Sequence, residues 1–238
     1  MPEAVSNRPR ALILTGGIFH PFVESSAALA EILAEAGFAS DIRLDVEAAL
    51  NDLARGRYRF LVVYALRWRM MDLDKYAPYR AEWAMTLSAE GQEAIADFVS
   101  GGGGLLGLHT ASICFDNWPG WGDVLGARWR WGTSFHPPSG PVSVKMLRGA
   151  HPVVQGVPDF DLEDEVFQGL DLAPDAVPLA TASLGGEREA HAIVWTHHYG
   201  RGRVVYDALG HDAGSFCTPA HRLLLGQAIE WIKTGDRR

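Results

Sequence analysis

Residues 98–111 read FVSGGGGLLGLHTA, and in this short span a helix ends, a strand passes and a polar turn follows. The helix occupies residues 88–100. Ser88 is placed to cap it, and Ile95, Phe98 and Val99 recur at helical spacing, which gives one apolar face. The glycine run stops it. Leu105, Leu106 and Leu108, interrupted only by Gly107, show no polar alternation, as expected of a strand covered on both faces in a parallel α/β sheet. That strand delivers His109 to the carboxyl edge of the sheet.

Gly107, Thr110 and Ala111 leave room for a sharp strand-to-helix bend of the nucleophile-elbow type, with a short helix expected next. Such a bend usually displays serine or cysteine. With histidine there, acyl-enzyme chemistry lacks its nucleophile, while proton transfer and metal ligation stay open. A turn histidine held only by backbone hydrogen bonds is the plainer alternative.

Outward from this stretch the sequence continues to alternate strand and helix. Residues 11–15 (ALILT) form a buried strand closed by Gly16 and Gly17, with His20 just beyond. Residues 25–37 form a helix with Ser25 as cap and a terminal glycine. Residues 39–46 and 60–66 (FLVVYAL) are the next strands, with a short helix between them. This order favours a doubly wound sheet with right-handed crossovers. Residues 67–87 make a long connection carrying Trp68, Tyr76, Tyr79 and Trp83, suited to a lid, a binding loop or a cover over one end of the sheet.

Beyond the elbow, residues 115–131 hold Trp118, Trp121, Trp129 and Trp131, which can stack on flat ligand faces or form a small satellite cluster. His136 lies in a proline-rich loop. Residues 141–147 alternate as a strand. The acidic run around Asp161, Glu163, Asp164 and Glu165 is bracketed by Leu162, Val166 and Phe167, so at least one carboxylate points inward. Strands are expected at 177–181, 191–196 and 203–209, the last two joined through residues 197–202, where His197 and His198 are expected in solvent. Gly210-His211-Asp212 follows the final strand, and residues 219–233 form the closing helix.

With 238 residues the chain can bury a full core. Residues 1–10 are expected to be extended or disordered, and residues 11–235 to form a single domain. Twenty-nine acidic against 21 basic residues give a formal charge of -8 without a basic run, which argues against nucleic acid and anionic membranes as partners. Two cysteines, Cys114 and Cys217, make no disulfide framework, and no stretch approaches the length of a membrane span, so a cytoplasmic protein is expected. Aromatics around Trp68 and Trp121 would suit a homo-oligomer interface as well as a pocket wall.

Four segments carry a family resemblance: the first strand with Gly16, Gly17 and His20; GGGGLLGLHTA; HPVVQGVPDFDLEDEVF; and AIVWTHHYGRGRVVYDALGHDAGSF with its closing helix. Together they resemble the ThuA-like family, named for a trehalose utilization protein. The resemblance implies a three-layer α/β fold, flavodoxin-like and similar to class I glutamine amidotransferases, with a mostly parallel sheet and helices on both faces. It puts His109 where an amidotransferase shows its cysteine, which argues against glutaminase activity. It also implies a role in the catabolism of trehalose and related disaccharides, in some cases through 3-keto sugars.

Strand ends supply a separate argument for one site. In open α/β sheets ligands bind beyond the carboxyl ends of the strands where strand order reverses. His20, His109 and His211 each follow a strand and should meet there, with Glu165 as the carboxylate. Three imidazoles and a carboxylate form a candidate site for a divalent metal, zinc foremost. His109, Glu165 and His211 are the candidate catalytic groups, and Trp118, Trp131, Asp164 and His136 the candidate substrate-binding ones. No nucleotide cofactor is expected. The reading is an enzyme that abstracts a proton from a sugar or keto-sugar; the competing one is a carbohydrate-binding or regulatory protein without turnover.

Overall fold

In the computed structural model, which describes residues 8–149, 151–185 and 189–235, the strands are β1 (Arg10–Gly16), β2 (Ala39–Arg43), β3 (Phe60–Ala65), β4 (Gly104–Leu108), β5 (Ala127–Arg128), β6 (Gly140–Met146), β7 (Phe160–Asp164), β8 (Asp171–Leu172), β9 (Val177–Leu184), β10 (His191–Tyr199) and β11 (Gly202–Asp207). The helices are α1 (Phe22–Glu35), α2 (Val46–Ala54), α3 (Arg80–Trp83), α4 (Ala89–Ser100), α5 (Gly120–Leu125), α6 (Ala213–Cys217) and α7 (Pro219–Lys233). Residues 1–7 of the expected amino-terminal extension lie outside the described residues, and Arg10 already belongs to β1.

Nine strands make one mixed sheet in the order β2-β1-β3-β4-β11-β10-β9-β6-β7. The five from β2 to β11 are parallel, and the pairings from β11 outward to β7 are antiparallel. β3 and β4 are buried at every position, as their unbroken apolar runs require. Helices α1, α6 and α7 cover one face, and α2, α4 and α5 the other. Two glycines of β4 show how closely these layers approach. A Cβ on Gly104 would stand 2.2 Å from Ile232 Cγ2 of α7, and one on Gly107 2.5 Å from Leu125 Cδ1 of α5.

Local chemistry explains where the elements end. Ser88 Oγ accepts the Gly91 amide and caps α4, as the sequence implies. Ser25 does not cap α1: the helix starts earlier, at Phe22 behind Pro21, and Ser25 is buried within it. β2 stops at Arg43, and Val46 opens α2 under an Asp45 cap. The elbow continues as one 3-10 turn, His109–Ile113, with Cys114 just past it. β10 runs two-residue turn to β11 through Gly200 and Arg201, so His197 and His198 lie in the strand. His197 is buried, its Nε2 2.9 Å from the Asp123 carbonyl, while His198 alone of the two is exposed.

At the carboxyl edge Gly17 joins β1 to the loop carrying His20. Its φ is +141°, and a Cβ there would lie 2.5 Å from the Leu66 carbonyl oxygen. Gly17→Ala is therefore expected to lower stability by about 1–3 kcal/mol, read as a reduced midpoint in denaturant. Among the described residues no helix is long and apolar enough to cross a membrane. Trp68 and Trp121, considered above for an interface or a pocket wall, are both buried, and Trp68 lines the cavity described below.

Candidate functional site

Strand order reverses between β1 and β3, and the loops that leave the parallel strands at their carboxyl ends surround one crevice. His20 follows β1, His109 follows β4 and His211 follows β11. β7 lies at the far edge of the sheet, yet its carboxyl end returns to the loop after β11, so Glu165 joins the three histidines. One ligand atom from each of His20, His109, Glu165 and His211 can be chosen so that all lie within 4.8 Å of one another.

His109 is held on every side. Its φ is +49°, a left-handed conformation that is strained for a residue with a Cβ. The Tyr206 hydroxyl donates to its carbonyl at 2.6 Å, and the Thr110 hydroxyl donates to Ala65 O at 2.7 Å. Its Nδ1–H donates to the Ala208 carbonyl at 2.8 Å, which leaves Nε2 as a lone pair facing the crevice. His20 is arranged alike, with Nδ1–H on Ile18 O at 3.2 Å. The two Nε2 atoms are 3.0 Å apart. With both rings protonated at Nδ1 two lone pairs face each other at that distance, which a cation bound beside them would relieve; with His20 in its other tautomer the contact is an N–H···N hydrogen bond.

The carboxylate is close to three imidazoles: Glu165 Oε2 lies 3.5 Å from His109 Nε2 and 3.2 Å from His136 Nδ1, and Oε1 lies 3.4 Å from His211 Nδ1. Glu165 Oε2 and His211 Nδ1 are nonetheless buried atoms without a well-aligned hydrogen bond among the described residues. Burial pushes His109 and His20 down to about 4, and each is further disfavoured as a cation by a neighbouring histidine. The contact with Glu165 outweighs burial at His211 and raises its pKa. For Glu165 burial acts upward, but His211, His109 and His136 together hold it below the usual carboxylate value. Two neutral imidazoles and a carboxylate, all with lone pairs turned inward, are a donor set suited to a divalent ion.

Above this floor stands a cavity of about 430 Å³, walled by Phe19, Trp68, Tyr76, Tyr79, Trp129 and Trp131, with His20, His136, Glu165 and His211 among its polar atoms. The connection after β3 thus supplies part of the wall. Phe19 packs edge-on against Tyr79 at 5.3 Å. A larger groove of about 710 Å³ between α2 and α4 is lined by Glu90, Glu93 and Asp97 and holds no histidine. The chemistry belongs to the smaller space.

The other candidates divide. Trp131 lines the cavity, and His136 stands at its mouth beside Glu165. Trp118 does not: it borders an adjoining space of about 130 Å³, on the other side of Ile113, Trp129 and Trp131, and packs against Trp121 at 6.1 Å. Asp164 is also turned away from the cavity, its carboxylate engaged with backbone amides. Trp195 is core, stacked on Tyr206. Cys114 is buried, donates to Ala65 O at 3.0 Å and has its pKa pushed up to about 12 by burial, which makes it inert as a thiolate. Trp129, one of the tryptophans able to stack on a ligand, lines the cavity; Phe19 and Lys75 also line it without a sequence signal beyond their closeness to His20 and Tyr76.

Comparison with known proteins agrees with this architecture. No curated protein sequence matches this one. Among solved structures, a ThuA-like protein of Bacteroides uniformis is 21% identical, with 100% of this chain and 97% of that chain covered and a TM-score of 0.71. Another, from Parabacteroides merdae, is 20% identical, covering 95% and 90%, with a TM-score of 0.72. A glutamine amidotransferase of Thermotoga maritima shares the fold at 13% identity, covering 96% and 99%, with a TM-score of 0.57. The family profile described as ThuA, trehalose utilisation, matches residues 10–232, and the chain belongs to that family.

Proposed function

We propose that this protein is a metal-assisted enzyme of sugar catabolism, acting on a keto-sugar such as a 3-keto derivative of a trehalose-related disaccharide. The observation that carries the proposal is the pair of inward-facing Nε2 lone pairs of His20 and His109 at 3.0 Å beside the Glu165 carboxylate. His20, His109, His211 and Glu165 would hold the ion, with zinc favoured by three imidazoles and one carboxylate. When bound, a divalent ion supplies positive charge against an oxygen that becomes negative as an adjacent C–H is lost.

The remaining work falls to the chain. Trp131 and Tyr76 meet edge to face at 6.2 Å and offer apolar surface to a sugar ring. His136, outside the ligand set yet 3.2 Å from Glu165, is the imidazole left to accept and return a proton. Loss of the proton beside a ketone lets the electron pair expel a glycosidic oxygen, or lets the sugar isomerise when the proton returns elsewhere. Two unbridged cysteines fit a reducing compartment, and we place the enzyme in the cytoplasm.

The test combines metal analysis with a 3-keto-trehalose conversion assay. Conversion should vanish on chelation and return with zinc; no metal uptake and no conversion with any divalent ion would refute the assignment. The protonation states add a sharper expectation. At pH 7 the lowered pKa values leave His20 and His109 neutral and Glu165 ionised, so among the four ligands His211, whose pKa Glu165 raises, is the one placed to give up a proton. Zinc binding near pH 7 should release no more than about two protons, one from His211 and one from a water on the ion, measured by calorimetry in buffers of different ionisation enthalpy. Release of three or more, beyond what His211 and one zinc-bound water could supply, would contradict the neutral state of the buried pair.

A further inference from the structure

Glu165 and His211 reach the crevice by unrelated routes, one at the end of the sheet-edge strand β7 and the other after the interior strand β11. One side chain touches both segments. Asp164 is fully buried, and its Oδ1 accepts the amide of Glu165 at 2.8 Å and that of His211 at 3.2 Å, while Oδ2 accepts the amide of Gly210 at 2.9 Å. The receiving segment, residues 208–211, has no regular structure of its own to fix it. Gly210 has φ +113°, and its carbonyl accepts the Tyr64 hydroxyl at 2.7 Å, so the amides on one side and the carbonyl on the other are both tied down.

We infer that Asp164 is a positioning residue that sets Glu165 and His211 in register with each other by gathering three backbone amides onto one carboxylate. Three amide donors converge on its two oxygens, an acceptor set that an asparagine, with one oxygen, cannot reproduce; burial raises the Asp164 pKa and the amides of Gly210 and Glu165 oppose it, so the inference rests on the acceptor geometry. An asparagine in its place keeps one acceptor oxygen but turns an NH2 group toward at least one backbone N–H. That donor then faces a donor, and the segment bearing Gly210 and His211 loses at least one of the bonds that anchor it. The functional consequence rests on the metal-site reading above; the positioning itself does not.

Amide hydrogen exchange on the metal-free protein tests the positioning. In the unaltered protein the Gly210 and His211 amides should exchange slowly although they lie in a loop, because both donate to the buried Asp164 carboxyl. In Asp164→Asn they should exchange at least about tenfold faster while β3 and β4 amides keep their rates. Free-loop exchange rates in the unaltered protein would overturn the inference even if the variant fails to fold, and so would unchanged rates in a folded Asp164→Asn. A cobalt titration is the second arm. If the unaltered protein binds cobalt, the variant should bind it about 10–100-fold more weakly, with a shifted visible absorption band that mere loss of stability would not produce. Unaltered protein that binds no cobalt refutes the metal reading and leaves the exchange result to judge Asp164 alone.

Discussion

His109→Ala is expected to weaken zinc binding by more than about 100-fold, beyond the range caused by changes outside the ligand set, and to reduce keto-sugar conversion to background. The expectation follows from geometry. His109 is fully buried, its ring orientation is fixed by the 2.8 Å bond to Ala208 O, and its Nε2 is within 3.5 Å of both His20 Nε2 and Glu165 Oε2. Removing it takes away the central donor of the set. The metal-free variant should lose far less in stability than in metal affinity. The Ala208 carbonyl is orphaned and a small cavity opens, each unfavourable, but the facing lone pairs are relieved. His136→Ala supplies the contrast, since it should keep zinc affinity within about tenfold while conversion falls. Tight zinc binding by His109→Ala, read by competition with a chromophoric chelator, would remove this residue from the ligand set.

The parallel half of the fold was legible because its signals are local. An apolar run, a glycine and a following histidine mark the ends of β1 and β4, and each such signal is complete within a few residues. Three of the four clustered groups, His20, His109 and His211, were placed by that logic, since every parallel strand presents the same end to the same edge. Glu165 was harder. Its approach depends on the antiparallel strands bringing β7 back to the loop after β11, which no local pattern encodes.

Within the acidic run, alternation shows that some side chain faces in but does not assign roles. Asp164 took the backbone amides, and Glu165, one residue later, took the crevice. His197 shows a signal that was present and outweighed. It shares strand parity with buried Trp195, two residues earlier, but the glycines after it made a longer loop look natural. The tryptophan cluster defeated sequence reasoning differently: Trp118 and Trp131 are equally aromatic, and only the packing of Trp131 against Trp68 and Tyr76 puts it on the cavity wall.

Asp207→Ala should destabilise the protein by about 3–5 kcal/mol, the cost of stranding one member of a buried ion pair. Asp207 Oδ2 lies 2.9 Å from His221 Nε2, and both side chains are buried. The other ring nitrogen, Nδ1, is 2.9 Å from the Ser215 carbonyl and 3.1 Å from the Ser215 hydroxyl, so an imidazolium can donate to Asp207 and to the Ser215 carbonyl at once. Burial acts to lower the His221 pKa, but Asp207 and the Ser215 carbonyl outweigh it and the net shift is upward. The sign of the pH effect follows. A histidine whose folded pKa exceeds its unfolded value contributes fully below about 6.5 and loses that contribution as pH rises through the folded value. His20 and His109 work in the opposite sense: with folded values near 4 they cost stability as pH falls from about 6.5 toward 4, where the unfolded chain takes up protons that the folded one refuses. The metal-free protein should therefore be most stable near pH 6.5 and decline on both sides. His221→Gln, which cannot ionise, should reduce the alkaline limb to the part left by His211, whose pKa is also raised, and leave the acid limb in place, measured as denaturation midpoints from about pH 4 to 9. An alkaline limb unchanged by that substitution would mean that His221 is neutral in the folded protein and that the pair is a plain hydrogen bond.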